Sequence, residues 1–214
     1  MTKASVRARR GAEPHEKPMS LREQQKLLTQ ARLLDAAVRV FLEHGYADSS
    51  IDDIVTAAAV GRATFYLHFK SKLEVMRALI QAMERQNEEL VQELCSYENP
   101  TRETLESWLR HFVEHWFNDG DRFLVGLQAL ASEPELSGEL DVGIRLATDA
   151  LAKLLEQGQS LAAEEAQLRA NLLVGALQQA CRTLVSDRQR YSVGLVVGVI
   201  TEIWANNLGL QRGA

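Results

Sequence analysis

From Leu21 onward the apolar positions of the chain fall three and four apart, not two. Leu27, Ala31, Leu34, Val38, Phe41 and Leu42 trace one face of a helix, and Gly45 stands where a helix-ending glycine belongs. Ile51, Ile54, Val55 and Ala58 make a second, shorter face, opened by Ser50 with Asp53 three residues on, the spacing of a capping box. A break over residues 59–61 leads into a third short helix, expected from Arg62 to about Phe69. Ser71 and Glu74 repeat the capping-box spacing and open a long helix through Met76, Leu79, Ile80, Met83, Leu90 and Leu94. Five more helices are expected: 99–118 behind Asn99-Pro100, a short one from Asp121 that stops before Pro134, 137–157 ended by Gly158, 162–186, and 189–207. No alternating run suggests a strand. The spacing predicts an all-α protein of about nine helices.

The chain has 214 residues, 46% of them hydrophobic and 25% charged, which suits a folded protein with a sizeable core. Residues 1–20 stand apart. They hold Gly11, Pro14, Pro18 and the basic cluster Arg7, Arg9 and Arg10 with few large apolar residues, and read as a disordered basic tail. The formal charge of −5 argues against a nucleic-acid partner until it is divided by segment. Residues 1–72 carry 12 Lys/Arg against 8 Asp/Glu, and residues 73–214 carry 12 against 21. A basic front on an acidic body fits a nucleic-acid module, 21–72, joined to a carrier domain, 73–214. Cys95 and Cys181 show no paired spacing, and the longest apolar run, 193–200, is too short to span a bilayer. A cytoplasmic protein with no membrane partner is expected.

The basic front carries a helix, a tight turn and a second short helix, the layout of a helix-turn-helix whose second helix enters the major groove. That second helix and the entry to the next read "RATFYLHFKSK". Phe65 and Phe69, four apart, pack inward. Arg62, Thr64, Tyr66 and Leu67 occupy the remaining arc, where Arg62 is suited to guanine O6 and N7. Thr64, Tyr66, His68 and Lys72 suit phosphate oxygens, and Lys72 lies in the first turn of a helix whose N-terminus itself favours an anion. With Ser50 and Lys70 these residues make the expected DNA-binding set; a solvated polar face is the alternative for Tyr66, His68 and Lys72.

At this point the sequence resembles the tetracycline-repressor (TetR) family of bacterial transcription regulators. The resemblance runs through "ARLLDAAVRVFLEHGYADSSIDDIVTAAAVGRATFYLHFKSKLEVMRALI", residues 31–80. It includes Gly45-Tyr46, Ile54 and Ala58, Thr64-Phe65-Tyr66, His68-Phe69 and Lys70-Ser71-Lys72. It implies that the Thr, Tyr and Lys positions touch DNA phosphates. Two positions depart from the family pattern: Ala59 stands where the turn often has glycine, and Gly61 where the third helix often has a serine cap. An alanine held at positive φ costs roughly 1 kcal/mol, and glycine is an acceptable N-cap.

Further along, "HFVEH" at 111–115 fits a reversed zinc-peptidase spacing. The aromatic stripe Trp108, Phe112 and Trp116 around it reads instead as a core or cavity wall, and no third ligand helix accompanies it. No catalytic residue, metal site or cofactor is assigned, and the chain is not expected to be an enzyme. The resemblance implies a small-molecule cavity behind Glu74. Met76, Met83, Trp108, Phe112, Trp116, Phe123, Leu127, Ile144 and Leu151 are its candidate walls, with His111, His115, Gln128 and Arg145 as polar groups. Ordinary core packing is the alternative for each.

The last helix is apolar nearly all round, with Gly194 and Gly198 four apart, and the helix before it carries a seam of Leu168, Leu172, Gly175, Ala176 and Gln179. The resemblance implies that these two helices pair with a second copy; Val197 and Thr201 complete the expected interface. The function these readings lead to is a homodimeric transcription regulator on a pseudo-palindromic DNA operator, a repressor released by a small apolar or amphipathic effector. The alternative is a DNA-binding protein of the same fold with an architectural or protein-partner role and no small ligand.

Overall fold

A computed structural model describes residues 19–210, so the basic cluster of the expected tail lies outside the described residues. Among them are nine α-helices and one 3-10 turn, and no strand. Helices α1 (Leu21–His44), α2 (Ile51–Ala57) and α3 (Arg62–Tyr66) form the front of the molecule. Helix α4 (Lys72–Cys95) runs from it into the body, formed by α5 (Arg102–Asn118), α6 (Gly120–Ser132), α7 (Ser137–Gln159), α8 (Ala163–Ser186) and α9 (Val193–Leu208). The 3-10 turn, Pro134–Leu136, joins α6 to α7.

The helix starts follow local chemistry. Ser20 with Glu23, and Ser50 with Asp53, close full capping boxes. Ser71 closes only half of one. Its hydroxyl accepts from Glu74 N–H, but the Glu74 carboxylate accepts from the backbone of Lys70 at 2.6 Å. Helix α5 is capped by Thr101, two residues after Asn99. Helix α3 is shorter than its sequence suggests, because the chain turns at Leu67 to seat Phe69 in the core. Gly158 lies inside α7, and the left-handed residue that ends that helix is Ser160, at φ 52°. Helix α9 starts at a Ser192 cap, four residues past the expected start.

Two cores result. The front core gathers Leu33, Ala37, Phe41, Ile54, Phe65 and Phe69 with Val75, Met76, Leu79 and Ile80 of α4. It also contains Val125 and Ala129 of α6 and Leu136 of the 3-10 turn. Residues of the body therefore complete the core of the helix-turn-helix. The second core joins α4, α5, α7, α8 and α9 around Leu109, Val113, Leu155, Leu184 and Trp204. No helix among the described residues is long and apolar enough to cross a membrane.

Candidate DNA-reading surface and effector cavity

The turn between α2 and α3 is closed by backbone hydrogen bonds. Val60 N–H donates to Val55 O at 3.0 Å and Ala59 N–H to Thr56 O at 3.1 Å, which satisfies the last carbonyls of α2. Ala59 holds φ 51°, the left-handed conformation that glycine adopts without strain. Gly61 caps α3 without a side-chain bond. Two residues that sequence reasoning passed over brace this turn from α1: Arg32 donates to Ala58 O at 2.8 Å and Arg39 to Ala57 O at 3.4 Å. Cations over a helix C-terminus are a readable signal, but only once the fold shows which helix end they meet.

On the outer face, Tyr66 and Leu67 are exposed, Leu67 at 78%, while Phe65 is fully buried and meets Tyr66 edge-on at 5.5 Å. Ser50, Arg62 and Lys70 are exposed and Thr64 is half-buried. Arg62 is held: its Nη1 lies 2.8 and 2.7 Å from the two carboxylate oxygens of Asp52 on α2. His68 is partly buried with its Nδ1 enclosed and without a partner, and burial followed by the nearby Lys26 charge lowers its pKa. A neutral imidazole packed in this way is a weak phosphate ligand. Lys72 differs most from its sequence reading. Its ammonium donates to the carbonyls of Tyr46, Ala47 and Ser49, the last two at 3.1 and 2.9 Å, and lies 4.5 Å from the Tyr46 ring centre. All three of its donors are engaged within the chain, tying the α1–α2 loop to the start of α4.

Behind this surface, the body encloses a cavity of about 210 Å³. Five rings form a ladder along it: Trp204 to Trp108 at 5.7 Å, Trp108 to Phe112 at 5.3 Å, Phe112 to Trp116 at 6.0 Å and Trp116 to Phe123 at 4.5 Å. Six of the expected wall residues line it: Trp108, Phe112, Trp116, Phe123, Leu127 and Ile144. The other assignments need correction. Met76 is buried in the front core and Leu151 in the second core, and neither reaches the cavity. Gln128 and Arg145 are exposed, because their helical positions put them on the outer arcs of α6 and α7. His111 also points outward, its Nδ1 3.4 Å from Glu93. Met83 and His115 border a recess of about 10 Å³ that shares Asn87, Trp116 and Phe123 with the main cavity, and Asp119 closes it. Burial lowers the His115 pKa and raises that of Asp119, each partly offset by the other.

The polar groups that do line the main cavity, Glu84, Asn87, Gln178 and Arg182, were not legible as such. They sit on faces of α4 and α8 whose neighbours the sequence does not name. Trp204 of α9 also turns inward to the cavity. For the same reason Val197 and Thr201 are corrected from interface to interior: both are buried within the single chain. The outward arc of α9 is Leu195, Val199 and Ile203 with Gly194 and Gly198, beside exposed Leu168, Leu172, Gly175 and Gln179 and half-buried Ala176 of α8.

Residues 33–79 match the model for bacterial regulatory proteins of the tetR family. The domain that these residues form belongs to that family. The chain's likeness to individual tetR-family proteins extends past the front helices. It is 27% identical to the HTH-type transcriptional activator FasR of Mycolicibacterium smegmatis, over 81% of this chain and 80% of that one. It is also 27% identical to the HTH-type transcriptional repressor LfrR of the same species, over 86% of this chain and 93% of that one. Others match only at the front: SrpR of Pseudomonas putida is 42% identical over 52 residues, 24% of each chain. In fold it is similar to a TetR-like regulator from Rhodococcus, with a TM-score of 0.70 at 23% identity, covering 86% of this chain and 97% of that one. It is likewise similar to FadR of Bacillus subtilis in complex with stearoyl-CoA, with a TM-score of 0.66 at 22% identity, covering 83% and 98%.

Proposed function

We propose that this tetR-family regulator binds a two-half-site DNA operator as a homodimer and represses transcription until a small molecule enters the aromatic cavity. The observation that carries this reading is the placement of α6. Its Phe123, Leu127 and Leu130 line the cavity, while its Val125 and Ala129 lie in the core of the helix-turn-helix. Polar links follow the same route: Arg122 to Asp35 of α1 at 3.0 Å, Tyr46 to Glu133 at 3.3 Å, and Arg77 to Glu135 at 3.5 Å. A ligand that spreads the cavity wall must displace α6, and α6 cannot move without disturbing the seat of α1. The helix α4, which runs from the front into the body, shares that role with α6. A packed core would suit an architectural protein; the cavity favours an effector.

The proposed reading surface is Arg62, Thr64, Tyr66, Leu67 and Lys70, with Ser50 at the start of α2. Lys72 acts from behind it by fixing the α1–α2 loop. No catalytic group is proposed.

Selection from a random duplex pool should enrich a sequence with two related half-sites, measured by sequencing and confirmed by fluorescence anisotropy. An effector acting by this route should weaken operator binding about 5- to 150-fold, the range for a coupling of roughly 1–3 kcal/mol. A chain that enriches no sequence, or whose effector leaves operator affinity unchanged, does not work as proposed.

A further inference from the structure

The cavity has a polar end, where two hydrogen-bonding groups that line it have no partner in the protein. Of the three tryptophans in the aromatic ladder, Trp108 donates its indole N–H to Leu90 O at 2.8 Å and Trp204 donates to Leu173 O at 3.3 Å. Trp116 does not: its Nε1 is buried without a partner. Next to it, Asn87 is only 9% exposed and its Oδ1 is likewise buried and unpartnered. Both residues line the main cavity and the small recess that opens from it. A buried donor and a buried acceptor left unmade cost roughly 1–3 kcal/mol each. They are retained together, at one end of an otherwise aromatic chamber.

We propose that the effector is a neutral amphiphile of about one aromatic ring and a short chain, whose hydroxyl or amide head donates to Asn87 Oδ1 and accepts from Trp116 Nε1. This rests on the effector-binding reading of the same cavity and specifies its ligand class. Size sets the body of the molecule. A cavity of about 210 Å³ exceeds the roughly 150 Å³ that admits benzene and falls short of the roughly 300–1,000 Å³ of drug-sized pockets. Charge sets the head. A carboxylate at this end would face Asp119, whose Oδ2 is buried and unpartnered in the same recess, and Glu84, whose carboxylate accepts from Gly143 N–H at 2.9 Å. A cation would leave the Trp116 N–H unmet and bring a second positive charge to a carboxylate that Arg122 already pairs with, 3.5 Å from Asp119 Oδ1. A neutral head that both donates and accepts answers the Asn87 and Trp116 groups without burying a charge.

Four probes of nearly equal shape separate the heads: phenylpropanol, propylbenzene, phenylpropionate and phenylpropylamine, titrated by calorimetry into the full-length protein. Phenylpropanol should bind about tenfold or more tighter than each of the others, from two hydrogen bonds formed in place of two unmet groups. Asn87→Leu should bring phenylpropanol to the level of propylbenzene while propylbenzene still binds, which shows that the cavity persists. Trp116→Phe should do the same independently. Equal binding of phenylpropanol and propylbenzene would overturn the inference. So would tighter binding of phenylpropionate that Arg182→Ala abolishes, which would move the head to the rim. If none of the four binds but stearoyl-CoA does and releases operator DNA, the ligand class is wrong and the regulator reading stands. If the protein selects no operator at all, the regulator reading falls with it.

Discussion

Ala59 shows how a single backbone angle can invert a familiar rule. Glycine in place of alanine usually weakens a helix, yet here alanine sits at φ 51°, where its Cβ is strained by roughly 1–2 kcal/mol. Ala59→Gly relieves that strain and gives back part of it, about 0.4–1 kcal/mol, as freedom of the unfolded chain. Urea denaturation should show a variant at least as stable as the parent, by up to about 1 kcal/mol; a loss of stability would mean that the turn does not hold this geometry in solution. Lys72 is the second residue whose role the structure changes. Its ammonium is bound to three loop carbonyls, and burial lowers its pKa. Lys72→Met should therefore cost stability, roughly 1.5–3 kcal/mol for hydrogen bonds to a charged group, and leave the salt dependence of DNA binding nearly unchanged. A salt slope that falls by about one instead would return Lys72 to the phosphate contacts. Arg62→Ala should relax base preference at one position by roughly 1–3 kcal/mol and weaken random-duplex binding little, measured by competition anisotropy. Its clasp with exposed Asp52 keeps the guanidinium ordered at the surface before DNA arrives.

At the scale of elements, the junction between α6 and the front helices holds a titratable contact. Tyr46 is buried between Phe41, 5.1 Å away ring to ring, and the Lys72 ammonium, and its hydroxyl donates to Glu133. Burial first, and then the Glu133 carboxylate, push the Tyr46 pKa from 10.0 up to about 12. Because the folded pKa lies above the unfolded one, the neutral phenol stabilises the fold fully below about pH 10. That contribution is lost as pH rises toward about 12. Thermal melts between pH 9 and 12 should fall more steeply for the parent than for Tyr46→Phe, once the shared loss from other groups is subtracted. Parallel curves would show that the α6 junction does not hold Tyr46 in this way. The same junction explains why the front module is not a self-contained unit: without Val125, Ala129 and Leu136 its core would face water.

At the scale of the whole molecule, the exposed apolar arc of α8 and α9 asks for a partner. Leu168, Leu172, Leu195, Val199 and Ile203 all lie open on one chain, a concentration of apolar surface that monomers rarely leave uncovered. A Cβ built on Gly194 or Gly198 meets nothing within 4 Å in the single chain. A first side-chain carbon there therefore meets no clash inside the protomer, so an effect on assembly reports the second copy. Gly198→Leu should keep its helical circular dichroism and become partly monomeric by light scattering, since overpacking costs roughly 1–3 kcal/mol at each of two symmetric sites. Leu195→Glu should act in the same direction by leaving a charge at the seam. If both variants remain dimeric at nanomolar concentration, the copies meet through another face.

What the sequence determined by itself was which residues share a helical face and most of the helix starts, features that depend on neighbours within about four residues. The caps Ser50 and Ser71, the inward pair Phe65 and Phe69, and the aromatic stripe Trp108, Phe112 and Trp116 all follow from spacings that a helix turns into one face. The tertiary structure decided what those faces meet. Val197 and Thr201 went inward and Leu195 and Val199 outward because a helix apolar on every side gives no signal for which arc is covered. Lys72 found three carbonyls 23 to 26 residues away in the chain, and α6 closed a core that begins some ninety residues earlier at Leu33. The open pair at the end of the cavity belongs to the same class. Asn87 and Trp116 lie on different helices, and only the packing of α4 against α5 and α6 leaves their polar atoms together and unmet.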